Sequence, residues 1–154
     1  LEFLTPVRLQ SEEQWADVPE FSVFFGSLFR RFMSFAQAPF SRVHCDSSLY
    51  QELKSRYQAL MDAARKVSIA EDRAPWRDWE RYSNRQKERM YLGGFLGSVT
   101  YEGNLAPFLP YIAMGEWVHA GKGATFGLGR YQIKVRTAEA EEQLRSDGKY
   151  KRGD

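Results

Sequence analysis

A glycine-rich stretch, GKGATFGLGRY at residues 121–131, has the residue types that can hold a phosphate backbone. Glycine lets backbone N–H groups approach a phosphate without a side chain in the way. Lys122 and Arg130 would add positive charge, and Phe126, beside Thr125, could stack on a base. The standard phosphate-loop spacings are not met. The residues alone leave two interpretations open, a loop that binds a nucleic-acid backbone or a tight turn from a helix into a strand.

A second candidate site is the arginine-rich stretch at residues 73–90. Its arginines recur at every fourth position, which predicts that they share one face of a helix or a strand. Interleaved aromatic residues favour a strand and suit single-stranded RNA. Neighbouring acidic residues favour the alternative, a solvated strand face with local ion pairs. The arginines are Arg73, Arg77, Arg81, Arg85 and Arg89, and Arg81 and Arg85 are included among the candidate RNA-binding residues.

The two histidines, His44 and His119, are the side chains suited to proton transfer near neutral pH. Neither has an evident partner, so a surface or structural role is the alternative for both. His119, next to the glycine-rich stretch, is the catalytic candidate. No zinc-ligand spacing, catalytic triad or paired-carboxylate pattern occurs in the sequence. We therefore predict no metal and no other cofactor.

Composition limits the class of protein. The chain has 154 residues, of which 43% are hydrophobic, and this suits a single globular domain. The formal net charge of +2 identifies no partner. A single cysteine, Cys45, cannot form an internal disulfide, and no apolar run approaches the roughly 20 residues of a membrane helix. We expect a cytoplasmic protein with no membrane contact.

The predicted helices and strands determine where these candidate residues lie. Alternation predicts a strand over Leu1–Gln10, and phenylalanines at helical spacing predict a core helix over Phe21–Phe35. The remaining predictions are a helix over Ser48–Ala64, strands near Trp76–Ser83 and Met90–Tyr101, a helix over Pro110–Ala120, and a last strand over Phe126–Arg136.

The order of the elements predicts an α+β fold, a ferredoxin-like (RRM-like) β-α-β-β-α-β antiparallel sheet with an extra helix in the first crossover. We expect one RNA-binding domain over residues 1–145 and a flexible tail over 146–154. The chain starts without methionine on a strand-like segment, so we expect it to be the C-terminal half of a longer, two-domain protein.

The stretch GEWVHAGKGATFGLGRYQI resembles the glycine-rich signature near the C-terminus of the RAMP superfamily of CRISPR-associated proteins, in particular its repeat-cleaving endoribonuclease branch. The stretches FLTPVRL, RYSNRQ and GGFLGSVTYEG also resemble that branch. The resemblance implies CRISPR repeat RNA as the partner. It implies that the loop that defines the superfamily is formed by Gly121, Lys122, Gly123, Gly127 and Gly129.

The resemblance also implies where chemistry takes place. Such enzymes cleave RNA without metal by acid–base catalysis, and their catalytic residues typically lie in an N-terminal domain. This chain is similar to the C-terminal domain, so we expect it alone to bind RNA without cleaving it. Two alternatives stay open. One is a non-catalytic RAMP subunit that holds guide RNA among the subunits of a CRISPR effector complex, and the other is a ferredoxin-like ligand or interaction module without nucleic acid.

Overall fold

The computed structural model describes residues 1–36, 47–78, 80–83 and 88–135, with the backbone alone at 36, 47–50, 53, 80–83 and 88–91. The strands are β1 (Glu2–Val7), β2 (Gln10–Ser11), β3 (Gln14–Trp15), β4 (Ser68–Arg73), β5 (Trp76–Arg77), β6 (Glu80–Ser83), β7 (Glu88–Tyr91), β8 (Gly94–Glu102) and β9 (Tyr131–Gln132). The α-helices are α1 (Phe21–Ala36), α2 (Ser47–Ala64) and α3 (Leu109–Val118), and short 3₁₀ turns cover Ala106–Phe108 and Ala124–Phe126.

The main sheet is antiparallel and has the strand order β4–β8–β1–β9. The first strand of the fold therefore lies between the last two, and this is the ferredoxin-like arrangement. The short strand β5 continues the sheet beside the first residues of β8. Two small hairpins, β2–β3 and β6–β7, are separate from the main sheet. The predicted fold class is confirmed.

The core is built on the phenylalanine face of α1. Five buried side chains follow the helical repeat along this face: Phe21, Phe24, Phe25, Leu28 and Phe29. They contact the sheet and the segment that precedes α3: the ring of Phe24 lies 6.0 Å from that of Phe3 in β1, and the ring of Phe25 lies 4.8 Å from that of Phe108. Burial of each such ring contributes about 1.5–3 kcal/mol, so α1 holds the layers together.

Close packing joins α3 to α1 and β9. Only glycine fits at position 115 of α3, because a Cβ atom on Gly115 would overlap the hydroxyl of Tyr131 and the methyl groups of Leu28. The Tyr131 hydroxyl donates a 2.6 Å hydrogen bond to the carbonyl oxygen of Ile112, one turn earlier in α3. Pro110 lies in the first turn of α3, as predicted. No helix of the described chain is long and apolar enough to cross a membrane.

Several predicted strand boundaries were wrong. The segment expected as one strand near Trp76–Ser83 forms β5 and β6, which belong to different sheets. The segment expected near Met90–Tyr101 is likewise divided between β7 and β8. Strand β4 was not predicted, because its sequence SIAEDR has almost no apolar alternation. As an edge strand it leaves all of its side chains exposed or half-buried.

The last strand is much shorter than the predicted Phe126–Arg136. A 3₁₀ turn ends at Phe126, and Gly127 and Gly129 adopt positive φ values of 82° and 79°, which extended strands exclude. The main-sheet strand therefore starts at Tyr131. His44, Cys45, Arg85, Arg136 and the tail at 146–154 lie outside the described residues.

Candidate nucleic-acid interface

The glycine loop, residues 121–129, requires its glycines for conformational reasons. All four have positive φ, with values of 75°, 84°, 82° and 79° in chain order. At the two ends, space is also restricted: a Cβ atom on Gly121 would lie 2.5 Å from the carbonyl oxygen of Arg8, and one on Gly129 would overlap the carbonyl oxygen of Ala120. The glycine pattern alone is therefore explained by the turn, and ligand binding must be argued from other groups.

Hydrogen bonds fix both ends of the glycine loop to the fold. At its start, the Gly121 N–H donates to the Ser27 hydroxyl of α1 at 3.2 Å, and the Lys122 N–H donates to the Arg8 carbonyl at 2.9 Å. At its end, the Gly129 N–H donates to the carbonyl of Pro6 at 3.0 Å. The loop thus follows the end of β1 closely, which makes it a preorganised surface.

Few backbone donors of the loop remain for a phosphate. The N–H groups of Phe126, Gly127 and Leu128 donate to carbonyls within the loop itself. Those of Gly123, Ala124 and Thr125 donate no hydrogen bond within the part of the chain that the structure describes. A phosphate that bound to the loop backbone would therefore bind at this short segment.

The side chains of the loop that suit RNA are at the surface. Lys122, Thr125, Phe126 and Arg130 are exposed, and Phe126 is 56% exposed. Neither Lys122 nor Arg130 forms an ion pair with another described residue. The loop presents two uncompensated cations and an aromatic ring, as an RNA-binding surface does.

A cavity of about 1030 Å³ lies on the Lys122 side of the loop, between α1 and the β2–β3 hairpin. Arg8, Arg30 and Arg65 line it together with Lys122, although the glutamates Glu12, Glu13 and Glu20 also contribute. The sequence did not single out these arginines for binding, because they come from three separate elements and no spacing connects them.

Arg8 packs its charged group against an aromatic ring. Its guanidinium lies over the ring of Trp15, 4.4 Å from the ring centroid. Its buried Nε has no hydrogen-bond partner, and burial lowers the pKa of the guanidinium from its ordinary value. The guanidinium lies at the same cavity as Lys122, and its N–H groups are donors that a phosphate accepts.

A second cavity, of about 510 Å³, lies on the Arg130 side of the loop. Trp117, at the end of α3, lines it together with His119, Leu4 and Arg130. Trp117 was not predicted as a functional residue, because an aromatic residue on a short apolar helix is typical of a core position. The structure instead places its side chain in solvent, 87% exposed.

His119, the catalytic candidate, lies between α3 and the glycine loop. Its ring Nδ1 is 3.1 Å from the carbonyl oxygen of Leu128, and since a carbonyl only accepts, Nδ1 carries the proton in this contact. The ring is therefore held by a backbone group rather than by a second catalytic side chain. Among the described residues, no group of three or more histidine, cysteine or acidic side chains could hold a metal ion.

The arginine repeat is divided between two sheets. Arg73 lies in β4, Arg77 in β5 and Arg81 in β6, so the strands that carry them belong to two sheets. Arg73 forms a 2.5 Å ion pair with Glu71, an example of the local pairing that was the alternative interpretation. The Arg81 side chain and all of Arg85 lie outside the described part of the chain, so their role in RNA binding stays a prediction.

The sequence decides the family. A sequence model of the CRISPR-associated endoribonuclease Cas6 matches residues 1–131, which is most of the chain. The chain belongs to the Cas6 family. A comparison with curated protein sequences finds no match.

Solved Cas6 structures have the same fold. The Cas6 (TTHA0078) product complex matches with a TM-score of 0.55 at 17% sequence identity, over 87% of this chain and 50% of that chain. Thermus thermophilus Cas6 (TTHB231) matches with a TM-score of 0.55 at 19% identity, over 83% of this chain and 49% of that chain. The chain thus spans about half the length of these Cas6 structures.

Proposed function

We propose that this chain is the RNA-binding C-terminal half of a two-domain Cas6 endoribonuclease, and that it binds CRISPR repeat RNA at the glycine loop. The observation that carries the proposal is the construction of that loop, which is tied to β1 and α1 while its cations point to solvent. The family match and the half-length coverage of solved Cas6 structures support the two-domain organisation.

Electrostatics gives the loop its affinity. Lys122 faces a cavity that also holds Arg8 and Arg30, and Arg130 faces the cavity on the other side. An RNA strand that crosses the loop would therefore meet cations along its path. Each phosphate that is neutralised releases condensed counterions, and this release favours binding most strongly at low salt.

We further propose that cleavage by the complete protein is metal-independent and that this chain alone does not cleave. Attack by the ribose 2′-hydroxyl needs one group to accept a proton and another to donate one. The described chain offers His119 near the loop, and its Nδ1 contacts a carbonyl rather than an acid or a base. The second proton-transfer group would come from the other domain.

Binding affinity for a repeat hairpin RNA tests the proposal directly. We expect Lys122→Ala and Arg130→Ala each to weaken binding about 5- to 10-fold, as loss of one charge-assisted phosphate contact implies. Lys54→Ala, which removes another exposed lysine on α2, is the matched control and should bind like the wild type. Equal affinity of all three variants would remove the glycine loop from the RNA site.

A further inference from the structure

Trp117 is the most exposed large hydrophobic residue of the described chain. It is 87% exposed, whereas Met114, one turn earlier on α3, is 50% exposed. Water contact with a whole indole ring is unfavourable, so the exposed ring of Trp117 is available to a ligand that can cover it.

The surroundings of Trp117 are polar and cationic as well as aromatic. It shares a cavity of about 510 Å³ with Arg130, His119 and Gln132. Glu116 also lines that cavity, but its carboxylate accepts a 2.5 Å hydrogen bond from the Ile133 N–H, which directs it to the backbone. The Arg130 guanidinium, which forms no ion pair with any described residue, is the charge available to a ligand.

Three hydrogen bonds hold α3, the helix that carries Trp117, to β9 and the residue after it and to α1. Besides the Glu116–Ile133 bond, the Tyr131 hydroxyl donates to Ile112, and Arg31 Nε of α1 donates to the Val118 carbonyl at 2.5 Å. A helix backbone that is already fixed adds little to the entropy cost of placing a ligand on Trp117.

The backbone next to Trp117 is strained. His119 has φ 65° and ψ 159°, a region that is essentially restricted to glycine. Surrounding contacts maintain this conformation, among them the Nδ1 contact with Leu128. Strain of this kind is concentrated at ligand sites, and here it sets the direction in which the chain leaves Trp117 for the glycine loop.

We propose that this cavity binds an unpaired nucleotide of the RNA, with its base stacked on Trp117 and its phosphate held by Arg130. The inference rests on the proposed function, because it assumes that the glycine loop binds RNA. An unpaired base exposes a π-face to an indole, whereas a base inside a duplex has both faces covered by its neighbours. The site therefore selects single-stranded nucleotides that flank or interrupt a stem, and a blunt duplex leaves it empty.

The test compares two RNAs on the complete encoded protein: a repeat hairpin with its single-stranded flanks, and the same stem with blunt ends. We expect Trp117→Ala to weaken binding of the flanked hairpin about 5- to 100-fold, the range for loss of one stacked base, and Trp117→Phe to keep most of the affinity. Binding of the blunt stem should not change. Met114→Ala, on the same helix, is the matched control.

The outcomes separate this inference from the proposed function. If Arg130→Ala weakens binding but Trp117→Ala binds the flanked hairpin like Met114→Ala, the nucleotide site is wrong and RNA binding by the loop stands. If Trp117→Ala weakens both RNAs equally, selection of unpaired nucleotides is wrong. If the wild-type protein binds neither RNA, both proposals fail. Quenching of tryptophan fluorescence by the flanked hairpin that is smaller in Trp117→Phe than in the wild type would locate the stacked base at Trp117, since three other tryptophans remain in the variant.

Discussion

The backbone N–H of Lys122 donates a 2.9 Å hydrogen bond to the carbonyl oxygen of Arg8, and the two residues form an isolated antiparallel bridge. This bridge aligns the start of the glycine loop with the end of β1. It also places two cations, from distant parts of the sequence, at the same cavity. A change that displaces the backbone of either residue should therefore affect both the stability of the fold and the proposed RNA surface.

Alanine substitutions of the loop glycines should distinguish the stability cost of a positive φ from the cost of a steric overlap. Gly127→Ala places a Cβ atom in open space, so only its φ of 82° opposes the change, and we expect about 1–2 kcal/mol of destabilisation. Gly129→Ala adds an overlap with the Ala120 carbonyl, and we expect about 3 kcal/mol or more. Urea unfolding of both variants measures the difference, and equal stabilities would contradict the crowding at Gly129.

The salt dependence of RNA binding should show whether the loop cations Lys122 and Arg130 contact phosphates. Removal of one phosphate contact reduces the slope of log K against log salt by about 0.7–0.9. We expect this change for Lys122→Ala and for Arg130→Ala, and about twice the change for the double variant. Titrations at several salt concentrations provide the slopes, with Lys54→Ala as the control. A weaker affinity with an unchanged slope would mean that the variants act through the fold instead.

Two buried tyrosines should make the domain sensitive to alkaline pH. Burial, and then the charge of Glu116, raises the pKa of Tyr131, and burial followed by Asp72 raises that of Tyr101. The unfolded chain ionises these phenols near pH 10.0 while the folded chain keeps them neutral, so stability is complete below that pH and decreases above it.

Urea unfolding at about pH 8 and about pH 11 tests this sign, since the two values bracket the ordinary pKa of tyrosine. Tyr101→Phe removes the hydroxyl that donates to the Pro19 carbonyl, so it should cost about 0.5–1.5 kcal/mol at the lower pH. The same variant should lose less stability than the wild type between the two pH values. An equal loss would contradict the raised pKa of Tyr101.

Cleavage should require more than this chain. The complete protein and this chain alone are each incubated with repeat hairpin RNA in EDTA. We expect the complete protein to cut the RNA and leave a 2′,3′-cyclic phosphate, and this chain alone to produce no cut. The products are read on a sequencing gel, with His119→Ala as the informative variant. A single cut by this chain that His119→Ala abolishes would transfer catalysis to His119 and overturn the assignment to the other domain.

The sequence predicted best where one physical signal dominated. The phenylalanines of α1 recur at helical spacing because a single face of the helix is buried. The helix and its place in the core could therefore be predicted from the sequence. Strand β4 was missed because an exposed edge strand needs no apolar alternation. The glycine loop was recognisable as a feature, but its spacing could not distinguish a requirement for positive φ from space for a phosphate.

The candidate site was less predictable than the fold. Arg8, Arg30 and Lys122 are brought to one cavity by β1, α1 and the loop, and only the tertiary structure creates that proximity. Trp117 has the sequence context of a core residue, and its exposure follows from how α3 is rotated against α1. Side-chain direction on a short helix depends on packing, which single-sequence patterns do not determine.

The position of β1 between β8 and β9 affects how the protein matures during synthesis. Thr5 accepts a hydrogen bond from the Arg130 N–H across 125 positions of sequence, and Phe3 pairs with Tyr131. Contacts between residues so far apart in the sequence form late in folding, because the chain must first close a long loop. On the ribosome, β1 and the apolar face of α1 emerge early and wait for β9. The glycine loop is held by β1, so we expect an unfinished chain to lack the proposed RNA surface.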